Sequence, residues 1–214
     1  MALVLVDLDG TLLKGISSER LFFLELFRKK VLGIRQIFSF LGFSFRWFTR
    51  YGKNVWKKNK AYLAGLHHQT IKALATQFVQ SELSKRICPE MKKRIEIHHR
   101  NGDETVLLSG TLDAIALPIA SFLGIKHVCA TKCSTIEARY SSAPPLIHPF
   151  GRDKLKIGFS LCRKLGYELS DCTAYGDSPD DIQLLESVSH PVAVHPKPRL
   201  RKIALRRSWE IIDS

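Results

Sequence analysis

With 214 residues, 45% of them hydrophobic, the chain can bury one full core and keep a smaller second unit beside it. Its 33 Lys and Arg against 20 Asp and Glu give a formal charge of +13, and its five cysteines, at 88, 129, 133, 162 and 172, include no Cys-x-x-Cys pair. A disulfide framework is thereby excluded in favour of reduced, core-filling thiols, and Asp7 arrives too early for a signal peptide, so the chain is expected to stay in the cytoplasm.

Residues 3–13, Leu-Val-Leu-Val-Asp-Leu-Asp-Gly-Thr-Leu-Leu, join an unbroken run of branched apolar residues to two carboxylates, Asp7 and Asp9. Such a run predicts a strand buried on both faces, which delivers the aspartates at its carboxyl end, where open parallel sheets place their active sites. Two carboxylates one residue apart repel unless a cation lies between them, and Mg2+ is hard, oxygen-seeking and content with one or two carboxylates plus phosphate and water. The plainer alternative is a turn, with Gly10 supplying an unusual backbone angle and Thr11 a cap.

From Leu21 to about Arg100 the pattern is helical, with no alternation long enough to extend a sheet. Between Glu25 and Glu82 there is no acidic residue, yet there are eleven basic ones: Arg28, Lys29, Lys30, Arg35, Arg46, Arg50, Lys53, Lys57, Lys58, Lys60 and Lys72. Removing those eleven from +13 leaves +2 for everything else. Ile34, Phe38, Leu41, Phe45 and Phe48 step by four and three as a helical stripe, which Ile37, Phe40 and Trp47 widen. Only ten residues separate Arg35 from Arg46, and about twenty are needed to span a bilayer, so this is no conventional membrane span. Three readings stay open: a stripe packed on itself and the core with solvated lysines, an interfacial helix with its basic residues against anionic headgroups, and, ranked last, a nucleic-acid surface. The neighbours His67-His68 and His98-His99 point in different directions on a helix and are assigned no metal.

Residues 106–111, Val-Leu-Leu-Ser-Gly-Thr, predict a strand ending at Ser109, with Gly110 and Thr111 opening a helix whose backbone N–H groups suit phosphate. Taken alone, Ser109 reads as a helix cap. A strand near His127 to Ala130 leads into a proline-rich loop or short hairpin over 134–150, in which no residue is singled out. Phe-Gly-Arg-Asp-Lys-Leu-Lys, residues 150–156, then puts Lys154 near the start of a helix running to about Leu165, where a lone lysine would ordinarily face solvent. Residues 173–181, Thr-Ala-Tyr-Gly-Asp-Ser-Pro-Asp-Asp, follow another strand-like segment and offer Asp177, Asp180 and Asp181 around the sharp turn allowed by Gly176. Asp177 and Asp181, four apart before the helix through Ile182 to Leu185, can share one face.

These four segments, in this order, resemble the haloacid dehalogenase-like hydrolase superfamily, and within it the phosphoserine phosphatase-like branch. Asp7 and Asp9 match its first motif, Ser109 the second, Lys154 the third, and Gly176, Asp177 and Asp181 the fourth; His190 to Ala204 resembles its closing strand and helix. The resemblance implies an α/β three-layer, Rossmann-like core over 1–15 and 101–214, with strands near 3–7, 104–108, 126–130, 172–175 and 191–194. A helical C1-type cap over 16–100 is inserted after the first strand and serves as a lid.

The resemblance also implies a Mg2+-dependent phosphatase. Asp7 would attack phosphorus to give an aspartyl-phosphate, and Asp9 would protonate the leaving oxygen and then activate water. Ser109, Gly110 and Lys154 would hold the phosphoryl oxygens. Asp7, the backbone carbonyl of Asp9, and Asp177 would bind the metal, with Asp181 orienting a bound water or Lys154 and Asp180 in support. The expected substrate is a small organic phosphomonoester. A phospholipid headgroup such as phosphatidylglycerophosphate is the sharper variant, met by peripheral contact with the inner face of an anionic membrane. Where phosphoserine phosphatases carry a substrate-binding Glu, this chain has Ile16, with Glu19 nearest, which argues against phosphoserine. The alternative is a non-catalytic binding or regulatory protein that uses the basic cap.

Overall fold

The computed structural model describes residues 2–15 and 17–213. Among them, six parallel strands form one sheet: β1 (Leu3–Val6), β2 (Glu104–Leu112), β3 (His127–Thr131), β6 (Thr173–Gly176), β7 (His190–Val194) and β8 (Glu210–Ile212), in the order β3-β2-β1-β6-β7-β8. A short antiparallel hairpin, β4 (Thr135–Ile136) with β5 (Arg139–Tyr140), occupies the region expected to be a loop or hairpin. The five strands expected are all present. β8 was not expected, because three residues at the end of the sheet are too few to show a period.

β1 runs down the middle and is buried along its whole length. Val4 and Val6 enter one hydrophobic cluster and Leu3 and Leu5 the other, as the two-residue period of a strand dictates. On the first face lie α1 (Ser18–Arg28), α4 (His68–Phe78), α5 (Pro89–Arg100) and α6 (Asp113–Leu123), contributing Phe22, Ile71, Met91 and Ile115. On the second lie α7 (Arg152–Lys164), α8 (Ile182–Leu185) and α9 (Pro198–Arg206), contributing Cys162, Leu184 and Leu200. The chain order reverses on either side of β1, so β2 and β6 splay their connections apart and leave a crevice at the carboxyl ends of the central strands.

Five helices separate β1 from β2: α1, α2 (Ile34–Tyr51), α3 (Val55–Lys58), α4 and α5. Packing divides them. Phe22 of α1, Ile71 of α4 and Met91 of α5 share a cluster with the sheet, whereas α2 and α3 hold a small cluster of their own, Phe43, Val55 and Ala61, with Trp47 and Tyr51 against it.

One local expectation is overturned. Gly110 and Thr111 do not open a helix; β2 continues to Leu112 and α6 begins at Asp113. The register against β3 jumps from Leu108 opposite Cys129 to Leu112 opposite Thr131, four residues against two. The three residues between, Ser109 to Thr111, face Ala130 alone and form a bulge that breaks the ladder and redirects their side chains. Hydroxyl and glycine residues read as a helix cap because both settings free the backbone from regular pairing.

Candidate active site

Asp7 leaves the end of β1 buried, with its N–H donating to the carbonyl of Tyr175 in β6 at 3.1 Å. Lys154, in the first turn of α7 and likewise buried, donates from Nζ to Asp7 Oδ1 at 2.7 Å and to Asp181 Oδ1 at 2.5 Å. The other oxygen of Asp181 accepts from the N–H of Ser178 at 3.1 Å and from its hydroxyl at 2.8 Å, so the turn after β6 fixes that carboxylate from its own backbone. Asp177 accepts from Lys197 Nζ at 2.6 Å. Carboxylate oxygens of Asp7, Asp177 and Asp181 all lie within 4.8 Å of one another.

Two glycines make this approach feasible. Gly10 has φ +93°, and a Cβ there would sit 2.2 Å from Asp177 Oδ2. At Gly176 a Cβ would meet Asp181 Cβ at 2.7 Å, so neither position accepts a side chain without displacing a carboxylate.

Three buried carboxylates around two ammonium groups are electrostatically incomplete. Burial pushes the Asp7 carboxyl up to about 7, with Asp181 and Asp177 adding to the rise and Lys154 opposing it. Burial also raises Asp177 against the pull of Lys197. Asp181 goes the other way: burial pushes it up, but Lys154 and the Ser178 donors together outweigh it and hold it below the usual carboxylate range. Lys154 is raised, since Asp181 and Asp7 overcome the cost of burying its charge. A divalent cation among these oxygens would supply the missing positive charge, and an all-carboxylate, hard-oxygen donor set fits Mg2+.

Asp9 stands apart from that trio. Its carboxylate accepts from Thr111 Oγ1 at 2.8 Å, the Ser18 N–H at 2.8 Å and Ser17 Oγ at 3.0 Å. Three side-chain carboxylates, those of Asp7, Asp177 and Asp181, therefore converge among the described residues. The bulge explains Thr111's reach: it carries that hydroxyl across to Asp9 while Ser109 and Gly110 line the same cleft. Asp180 lines the cleft, paired with Lys57 of α3 at 3.0 Å, and Lys58 meets Asp153 of α7 at 3.4 Å, so α3 is tied to the core by two ion pairs.

The cleft has a volume of about 580 Å³. Its floor is the carboxylate cluster, and its outer wall sets the rings of Phe23, Phe40, Trp56 and Tyr62 beside Glu19, Arg20, Lys57 and Lys60. Glu19, on that wall, is already engaged, by Lys60 at 2.6 Å and the Tyr62 hydroxyl at 2.9 Å. Ile16 lies outside the described residues. His148, from the loop before α7, is buried against Thr131 Oγ1 at 2.7 Å, and its Nε2 has no partner among the described residues.

Asp7, Asp9, Ser109, Gly110, Lys154, Asp177, Asp180 and Asp181 thus all line one cleft. Sequence reasoning missed Lys197, Thr111 and His148. Lys197 sits in a run already rich in basic residues, and His148 in a loop without periodicity, so neither carried a signal; Thr111 was visible but misread as part of a helix start.

A family model for haloacid dehalogenase-like hydrolases matches residues 4–186. The chain is 33% identical over 168 residues to the inhibition of morphological differentiation protein of Streptomyces azureus, covering 73% of this chain and 58% of that one. It is 27% identical over 216 residues to a phosphoserine phosphatase of Mycobacterium tuberculosis, covering 97% and 69%. A solved structure of a protein of unknown function from Bordetella pertussis superposes with a TM-score of 0.84 at 26% identity, covering 99% of this chain and 97% of that one. With its motifs gathered at the strand ends, the chain belongs to the haloacid dehalogenase-like hydrolase family.

Proposed function

We propose that the chain is a Mg2+-dependent phosphatase that hydrolyses an organic phosphomonoester through an aspartyl-phosphate on Asp7. The observation that carries this reading is the meeting of Asp7, Asp177 and Asp181 within 4.8 Å, with Lys154 bridging two of them. Asp7 and Asp177 would hold the ion with the Asp9 carbonyl, and Asp181 would orient Lys154. When bound, Mg2+ would offset the carboxylate charge and polarise the phosphoryl group.

Asp7 attacks phosphorus in line as the ester bond breaks, and Asp9 gives its proton to the departing oxygen; Asp9 then takes a proton from the water that cleaves the aspartyl-phosphate. Thr111, Ser17 and Ser18 hold Asp9 in place for both transfers. Ser109, the Gly110 backbone and Lys154 bind the equatorial oxygens, and Lys154 offsets charge on the intermediate. The inserted segment 16–100 acts as the cap, with α2 and α3 as the part that overhangs the cleft and Lys57 and Lys58 as its ties to the core.

For the substrate, an amine-bearing leaving group such as serine is disfavoured, because Glu19 is neutralised by Lys60. A phosphate on a lipid headgroup, phosphatidylglycerophosphate among them, suits the rings of the outer wall, and would place the enzyme at the cytoplasmic face of a membrane. Among the described residues no helix is long and apolar enough to cross one. The test is release of inorganic phosphate across amino-acid, sugar, nucleotide and lipid-headgroup monoesters, with Mg2+ and with EDTA. Turnover of at least one class, lost in EDTA, is expected; no turnover of any would leave a binding protein.

A further inference from the structure

We infer that α2 lies flat in the surface of an anionic bilayer, and that the apolar groove between α1 and α2 receives an acyl chain of a membrane phosphomonoester whose phosphate sits at Asp7. The second half rests on the phosphatase reading; the first does not.

α2 is apolar on both sides. Phe40, Phe43 and Trp47 face its own small cluster and the cleft wall. The stripe Ile34, Phe38, Leu41, Phe45 and Phe48, with Ile37 beside it, is left in solvent, Phe45 being 90% exposed, Ile34 70% and Phe38 67%. Single exposed apolar residues need no explanation, but six on one face of one helix form a contiguous patch of the kind that marks a binding surface.

Charge identifies what the patch binds. α2 carries no acidic residue, and Arg35, Arg46, Arg50 and nearby Lys53 make no ion pair among the described residues. Guanidinium and ammonium groups flanking an aromatic face complement phospholipid headgroups, with the rings below the headgroup level and the cations beside the phosphates. A second copy of this chain would bring the same positive charge to the interface and meet repulsion.

The groove identifies the ligand. It has a volume of about 350 Å³ and is walled by Phe23, Leu24, Phe27, Ile37, Phe40 and Leu41. Phe23, Phe40 and Tyr62 line both this groove and the catalytic cleft. The two cavities adjoin across these rings, so an amphiphile that passes between them would place its phosphate among the carboxylates and its chain along α2, and a lipid drawn from the bilayer has that shape.

The experiment uses the full chain. Co-sedimentation with phosphatidylcholine vesicles, with and without phosphatidylglycerol, should show binding to the anionic vesicles only, lost in Phe38→Ser/Phe45→Ser and in Arg46→Glu/Lys53→Glu, whose folding is checked by thermal unfolding. Equal binding to both vesicles, no binding, or a dimer in solution that buries this face would overturn the docking surface. For the groove, kcat/KM is compared for lysophosphatidic acid and glycerol 3-phosphate, which share a headgroup. A preference of about tenfold or more for the acylated ester is expected. Leu24→Trp, which fills the groove, should remove that preference while leaving hydrolysis of an aryl phosphate unchanged. Hydrolysis of both esters at equal efficiency would overturn the groove assignment alone; hydrolysis of no phosphomonoester would overturn the phosphatase reading and the groove with it.

Discussion

The catalytic floor and the outer face of α2 are opposite solutions to the same problem of placing chemically demanding side chains. In the floor, Asp7, Lys154, Asp177 and Asp181 are buried, and each is engaged by a partner from another part of the chain. On α2 the demanding groups are apolar, and Ile34, Phe38, Leu41, Phe45 and Phe48 are left largely exposed to water. Burying a charge costs so much that the fold must supply its partner internally; exposing phenylalanines costs less each, so an external surface can complete them.

Five measurements would sharpen or break that contrast. The largest effect is expected at Asp7→Asn, which keeps the shape and removes the nucleophile: turnover should fall by about a thousandfold or more with the circular dichroism spectrum unchanged. Activity within tenfold of the parent would strip Asp7 of its role.

Gly10→Ala asks whether the floor tolerates a single methyl group. The positive φ and the 2.2 Å approach to Asp177 both oppose it, so we expect a loss of about 2–3 kcal/mol in chemical denaturation, together with weakened metal binding. An unchanged denaturation midpoint would mean that the Gly10 turn is looser than described.

The two faces of α2 should part company under truncation. Phe43→Ala, in the small cluster, is expected to cost about 3 kcal/mol, whereas Phe45→Ser on the outer face should change stability by less than about 0.5 kcal/mol. Equal costs would show that the outer face is packed in solution.

His148 supplies a pH test. Burial, reinforced by Lys60, Lys58 and Lys57, holds its imidazole down to about 3, against 6.5 when free. The unfolded chain therefore takes up a proton as pH falls below about 6.5 while the folded chain does not, so this contribution is present above that value and is lost progressively toward pH 3. At pH 5 the loss is about 2 kcal/mol, and His148→Gln should be free of it in thermal unfolding at pH 7 and 5. Parallel shifts in both proteins would sink the assignment.

The smallest effect is expected at Lys197. Its ammonium competes with a cation for Asp177, so Lys197→Met should tighten Mg2+ binding by about three- to tenfold in calorimetry without substrate. Weaker binding would make Lys197 a support of the site and not a competitor.

Legibility in the sequence followed the range of the interactions. Asp7 and Asp177 announced themselves because each follows a strand with a strong local pattern, whereas Lys154 was legible only as one of four motifs in their order. The bulge at Ser109 to Thr111 did not, since it depends on how β2 registers with β3. Nor did the division of the inserted helices, because α2, α4 and α5 are all amphipathic and an apolar stripe does not say what it packs against. The apolar stripe on α2 was plain from its spacing, yet spacing is the same for a buried stripe and an exposed one.

What the amino-acid order alone determined was the list of parts: a buried parallel sheet, carboxylates at strand ends, a helical insertion carrying nearly all the excess positive charge. These follow from periodicity, composition and neighbouring residues, which are local properties. Only the tertiary structure decided which carboxylates converge, that Asp9 is held by Thr111 and the start of α1, that Lys197 reaches Asp177, and that α2 turns Phe38, Phe45 and Phe48 outward. Those depend on distances between residues far apart in the chain, which packing sets and no local pattern encodes.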